Sequence, residues 1–194
     1  MNNALVIVDM LYDFIDGSLA CAGADKAVAE TLKYIDSQTH GQGGEEHEIL
    51  DTFPILFVCD SHPADHSSFK ENGGIWPVHC VAGTRGAEIH EALKPYAVEE
   101  LIFTKGCNKA SEQYSGTEAV NNAGQSLCEI LELLDTTDVH VCGTATEFCV
   151  RHTCEDLLKA GFNVHLHEKC LAYIEHQDHI NALKEMKDEG IVIE

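Results

Sequence analysis

Cys149 lies in Val139–Gly161, VHVCGTATEFCVRHTCEDLLKAG, a stretch that puts a thiol where a thiol can react. Val139 to Cys142 reads as a buried strand, and Gly-Thr-Ala-Thr as the turn after it. From about Glu147 the spacing predicts a helix, because Phe148, Val150, Cys154, Leu157 and Leu158 fall roughly on one side. Gly161 supplies a C-terminal stop. Cys149 thus sits just inside a helix start, where free N–H groups and the helix dipole favour a thiolate and then an oxyanion. Taken alone, it reads first as a small buried apolar residue, which is what most cysteines are.

Three further chemically loaded residues end apolar runs. Ala4–Val8 ends in Asp9, Pro54–Cys59 in Asp60, and Leu101–Thr104 in Lys105. A thiol of pKa ~8.5 needs a base or a cation to become a good nucleophile near neutral pH. Asp9 can take the thiol proton, and Lys105 can stabilise both the carboxylate and the thiolate. Singly, Asp9 reads as a turn cap and Lys105 as a solvated charge.

A second constellation follows Asp60. In Asp60-Ser61-His62, residues two apart share a face of an extended chain. His79, after Trp76-Pro77-Val78, completes an Asp/His/His set with open positions. Mixed oxygen and nitrogen ligation of this kind suits zinc, iron or manganese. His66 reads either as a fourth ligand or as a loop residue. The chain has 12 histidines, so isolated ones such as His40, His47, His90, His176 and His179 carry no assignment.

The elements that must position these groups alternate. Besides the strands named above, Asn163–His167 and Ile191–Ile193 read as strands. Helices are expected from about Lys26 to Gln38 (capped by Asp25), over Gln125–Leu134, from Glu147, and over His176–Lys187. His40–Glu48, the stretch from Ser61 to about Pro95, and Gly106–Gly124 read as irregular connections. Short apolar runs alternating with amphipathic helices make an α/β fold with a largely parallel sheet. Sites in such sheets form beyond the strand carboxyl ends. Those ends are Asp9, Asp60, Lys105 and the Gly143–Cys149 turn.

The 194 residues suit one domain, 1–194, with a full hydrophobic core. Twelve Lys and Arg against 33 Asp and Glu give a formal charge of −21, which argues against nucleic acid and anionic membranes as partners. Nine cysteines without a Cys-x-x-Cys pair, no charged-then-apolar leader, and no apolar run near the ~20 residues of a membrane span fit a cytoplasmic protein with reduced thiols. Oligomeric state is left open, because no unmistakable interface stripe appears.

Taken in order, the motifs resemble those of nicotinamidases within the isochorismatase-like cysteine hydrolase family. The matching pieces are Val6-Ile7-Val8-Asp9-Met10-Leu11-Tyr12-Asp13-Phe14, Asp60-Ser61-His62-Pro63-Ala64-Asp65-His66-Ser67-Ser68-Phe69, Trp76-Pro77-Val78-His79-Cys80-Val81-Ala82-Gly83-Thr84, Lys105-Gly106, Tyr114-Ser115-Gly116, and Gly143-Thr144-Ala145-Thr146-Glu147-Phe148-Cys149-Val150. Ser61 departs from the pattern, since many relatives look aromatic there. The resemblance implies a three-layer α/β sandwich, with about six mostly parallel strands and helices on both faces.

It also implies an amidohydrolase that converts nicotinamide to nicotinate and ammonia in NAD salvage, with pyrazinamide-like carboxamides as further substrates. In that role Cys149 attacks the amide carbon to give a thioester, Asp9 moves the protons, and Lys105 balances charge. The N–H groups of Ala145 and Cys149 form the oxyanion hole, and a cis peptide is expected between Thr144 and Ala145. Asp60, His62 and His79, with His66 as a further candidate, hold one divalent ion: zinc, with Fe2+ or Mn2+ also compatible. The ion takes the pyridine nitrogen, with supply of an activated water as a secondary role, and Phe14, Trp76 and Tyr114 line the ring pocket. The alternatives are a metal-independent cysteine hydrolase of the same family acting on another amide or carbamoyl group, and a non-catalytic binding protein on the same fold.

Overall fold

The computed structural model describes residues 2–39 and 53–194; the loop expected over His40–Glu48 lies outside them. Among the described residues six strands form one sheet: β1 (Asn3–Val8), β2 (Ile55–Asp60), β3 (Ile102–Lys105), β4 (Asp138–Gly143), β5 (Asn163–Leu171) and β6 (Val192–Ile193). Their spatial order is β3-β2-β1-β4-β5-β6, and every neighbouring pair is parallel. The order reverses beside β1: the chain builds outward through β2 and β3, then crosses to β4 on the other side. Such a switch point opens a crevice at the carboxyl ends of the central strands.

Both sheet faces are covered, which is why the central strands are continuously apolar. On one face Val6, Val8, Val58, Val139, Val141 and Leu166 pack against helices α3 (Leu127–Leu133), α4 (Arg151–Lys159) and α5 (His176–Glu189), through Leu131, Leu157 and Met186. On the other, Leu5, Ile7, Ile55, Phe57 and Cys142 pack against α1 (Tyr12–Ile15) and α2 (Ala24–Thr39), through Phe14, Val28 and Ile35. The result is the three-layer parallel α/β arrangement expected.

Differences from the sequence reading are local. The four-residue helix α1 was not anticipated, because one turn is too short to show a helical period. Helix α3 starts two residues later than Gln125. Ser126 caps it reciprocally with Glu129, and that box fixes Leu127 as the first helical residue. β5 runs four residues past His167, and an irregularity opposite Val141–Gly143 lets Leu171 pair with Gly143. The segment between Ser61 and Pro95 contains only short 3-10 turns. Among the described residues, no helix is long and apolar enough to cross a membrane.

Candidate active site

Parallel register brings the loaded residues together. Asp9 follows the last residue of β1, while Asp60 and Lys105 end β2 and β3 and pair across them. Asp9 takes a left-handed backbone (φ +50°) at the end of β1. There Asp9 Oδ1 accepts the backbone N–H of Asp60 at 2.9 Å. Lys105 is fully buried, and its Nζ lies 2.9 Å from Asp9 Oδ2, in contact with Asp60 Oδ1, and 3.4 Å from Cys149 Sγ. One oxygen of Asp9, one of Asp60 and the Cys149 sulfur all lie within 4.8 Å of one another.

Cys149 sits in a π-helical turn, Thr146–Val150, that runs directly into α4. Apolar spacing alone predicts a plain helix from Glu147. The wider turn is a frequent device at functional sites, and hydrophobic periodicity does not reveal it. The Thr144–Ala145 peptide is cis. The N–H of Thr144 is held by Val8 O at 2.9 Å, and that of Thr146 by Ala172 O at 2.9 Å. Among the described residues no protein acceptor takes the N–H of Ala145 between them.

Beside this group the imidazoles converge on Asp60. His62 Nε2 is 3.4 Å and His79 Nε2 4.0 Å from Asp60 Oδ2. Each ring is aimed from behind: His62 Nδ1 is bonded to Gly106 O at 3.0 Å, and His79 Nδ1 to Pro77 O at 2.8 Å. Those bonds place the proton on Nδ1 and leave Nε2 as a lone-pair donor, the usual arrangement of metal-ligating histidines. A backbone bridge ties the two loops, with His62 N donating to Cys80 O and Ala82 N to His62 O, both at 2.9 Å. His66 is not part of the trio. Its Nδ1 is bonded to Ser68 Oγ at 2.7 Å and its Nε2 lies 3.2 Å from Ser111 O.

The charges of this cluster do not balance among its own residues. Two buried carboxylates face one ammonium, which leaves a negative charge uncompensated away from water. Burial, then the neighbouring Asp60 charge, push the Asp9 carboxyl up to about 6 against the pull of Lys105. Burial also acts on Asp60, but its neighbours, the Lys105 ammonium first, outweigh it and hold that carboxyl well below the usual range. His62 Nε2 is a buried ring nitrogen without a hydrogen-bond partner among the described residues. A divalent cation against Asp60 Oδ2 and the two Nε2 atoms answers both the charge and the orphaned nitrogen, so this donor set fits such an ion. Burial drives the Cys149 thiol well above its ordinary value despite Lys105. Ionising that sulfur calls for a base in contact.

An apolar cleft leads to these groups, lined by Phe14, Trp76, Tyr114 and Phe148 above Ala145 and Cys149. Phe14 meets His79 edge-on at 5.5 Å, Trp76 Nε1 donates to Tyr114 Oη at 3.1 Å, and Trp76 stands perpendicular to Phe148 at 4.9 Å. Phe148, Glu112 and Ile174 also line the cleft and were missed from sequence. Its apolar spacing makes Phe148 a core position of the helix; its place next to Cys149 is the signal that marks it for the cleft. Glu112 and Ile174 lie in segments with no period to read, and nothing in sequence marked them.

Comparison with known proteins bears on this geometry. The isochorismatase domain model matches residues 3–194. A nicotinamidase/pyrazinamidase of Mycobacterium tuberculosis is 32% identical over 192 residues, covering 97% of this chain and 96% of the relative. The crystal structure of a Pyrococcus horikoshii pyrazinamidase in complex with zinc superposes with a TM-score of 0.83 at 38% identity, covering 100% of this chain and 99% of that one. PnC1 of L. infantum, solved in complex with nicotinate, superposes with a TM-score of 0.82 at 30% identity, covering 100% and 92%. From β1 to its last strand, this chain belongs to the isochorismatase family.

Proposed function

We propose that this protein is a nicotinamidase, hydrolysing nicotinamide to nicotinate and ammonia and also accepting pyrazinamide. One observation carries the reading. Lys105 joins two constellations, touching Asp9 and Cys149 on one side and Asp60, the carboxylate of the imidazole trio, on the other. A nucleophile and a heteroaromatic anchor at such close quarters suit a small ring that carries an amide. The similarity to nicotinamidases and pyrazinamidases, including relatives solved with zinc and with nicotinate, supports the same substrate class.

The chain's own groups account for the steps. Asp9 takes the proton of Cys149 as the sulfur attacks the carboxamide carbon, and Lys105 offsets the charge on whichever partner is ionised. The N–H groups of Ala145 and Cys149 receive the developing oxyanion. One such donor typically contributes ~2.7–4 kcal/mol to transition-state stabilisation. As the C–N bond breaks, the Asp9 proton passes to the departing amine, releasing ammonia and leaving a thioester on Cys149. Asp9, again a carboxylate, then activates the water that attacks the acyl carbon. That step yields nicotinate and returns the proton to sulfur.

Phe14, Trp76 and Tyr114 hold the ring and exclude water. Asp60, His62 and His79 hold a divalent metal ion, which we assign as zinc. When bound, it supplies a Lewis-acidic anchor for the pyridine nitrogen. This trio favours the metal-dependent reading over a metal-independent amide or carbamoyl hydrolase. All nine cysteines are free, which suits a reducing cytoplasm.

Acid-quenched turnover tests the role of the sulfur. Mass spectrometry of protein quenched during nicotinamide hydrolysis should find a nicotinoyl group on the Cys149 peptide. Cys149→Ala should have neither the adduct nor the activity. Persistent turnover in Cys149→Ala would overturn the mechanism.

A further inference from the structure

A second histidine cluster lies away from the strand carboxyl ends, in the middle of β4 and β5 on the face covered by α2. His140 pairs with His165 across the two strands, and His167 is two residues further on the same face. The His140 and His165 rings stack at 4.8 Å, the His140 and His167 rings at 5.1 Å, and Tyr34 of α2 covers His167 at 4.0 Å. Three imidazoles on a face that elsewhere carries Leu5, Ile7 and Phe57 are out of keeping with a packing role. Nothing in the proposed hydrolysis uses them.

We infer that His140, His167 and Glu194 form a second binding site for a divalent transition-metal ion, separate from the Asp60 trio. His140 Nδ1 and His167 Nε2 share a hydrogen bond of 2.9 Å, so an ion would take the place of the proton between them. Two nitrogens each ~2.0 Å from a tetrahedral ion stand roughly 3.3 Å apart, so a shift of a few tenths of an ångström would admit one. One ligand atom from each of His140, His167 and Glu194 falls within 4.8 Å of the others.

Outer partners are in place as well. Glu194 Oε1 is bonded to His165 Nδ1 at 2.9 Å, and His165 Nε2 lies 3.3 Å from Asp138 Oδ1, so the carboxylate is oriented by a ring that is itself held. Burial and neighbouring imidazoles lower the proton affinity of His140 and His167, which keeps both rings in the neutral, ligating form. An open cleft of about 260 Å³, lined by Tyr34, His167, Cys170 and Glu194 together with Glu30 and two lysines, gives an ion a way in. An imidazole-rich set with one carboxylate selects Zn2+, Co2+, Ni2+ or Cu2+ over Mg2+ or Ca2+.

The test is metal stoichiometry on the whole protein. Chelator-stripped chain is titrated with Zn2+ alone, freed of excess ion, and assayed for zinc per chain. The wild type should retain two ions and His167→Ala one, with nicotinamide hydrolysis within about twofold of wild type. Glu194→Gln, at a partly exposed position that does not threaten the fold, should weaken the second ion at least tenfold. Co2+ loading should give the same two-to-one pattern in its visible absorption. One zinc per wild-type chain would overturn the inference, and so would two zinc ions bound unchanged by both variants.

Discussion

Gly106 is the sharpest structural dependence of the proposed metal trio. It stands directly after Lys105 with φ +70°, and its carbonyl holds His62 Nδ1 at 3.0 Å. A Cβ built there would meet His62 Cε1 at 2.3 Å and Nδ1 at 2.5 Å. Carbon contacts are comfortable at ~3.5–4.0 Å, so in Gly106→Ala the imidazole must retreat by roughly 1 Å or the loop must move. Metal–ligand distances tolerate only about ±0.2 Å. Losing the bond that orients a ligating histidine lowers metal affinity by roughly 10–100-fold. A left-handed alanine also costs about 1–2 kcal/mol in stability, which for a chain of this size lowers Tm by about 2–8 °C. The variant should therefore remain folded by circular dichroism while its zinc affinity, measured by competition with a chromophoric chelator, falls at least tenfold. Activity should return only at high added zinc. Unchanged zinc affinity in folded Gly106→Ala would refute the claim that His62 is a ligand aimed by this carbonyl.

Two further outcomes follow from the same geometry. Asp9→Asn removes the base but no proposed ligand, so kcat/KM should fall by about 10²–10⁴-fold with zinc content near that of the wild type; loss of zinc would mean the roles are misassigned. Burial and Asp60 raise Asp9 to about 6, and the base must be ionised to act, so kcat/KM should be flat above that pH and fall on acidification through a limb no higher than about 6. Cation binding to Asp60 removes part of the like-charge effect and moves the limb downward. An acid limb near 8 would point to a different base.

Much of the site was legible in sequence because its residues end apolar runs. Asp9, Asp60 and Lys105 each close a buried strand, and a parallel sheet brings such ends to one edge. Asp-x-His was legible because an extended chain puts both side chains on one side. What sequence did not convey were features that depend on the third dimension. The π turn around Cys149 differs from an α-helix by one residue per hydrogen bond, and no apolar period registers it. His66 matched the pattern of a ligand, yet Ser68 and Ser111 engage its nitrogens. Gly106 gave no hint that its missing side chain makes room for His62. His140, His165 and His167 read in sequence only as residues of two strands, since only strand register stacks them.

Ammonia release from nicotinamide by the purified protein, before and after chelation, tests the central claim most directly. One ammonia and one nicotinate should appear per substrate consumed, with near-complete loss of turnover once the metal is stripped and recovery on adding Zn2+. Full-rate hydrolysis by metal-free protein would contradict it, and so would a zinc-loaded protein that leaves nicotinamide intact.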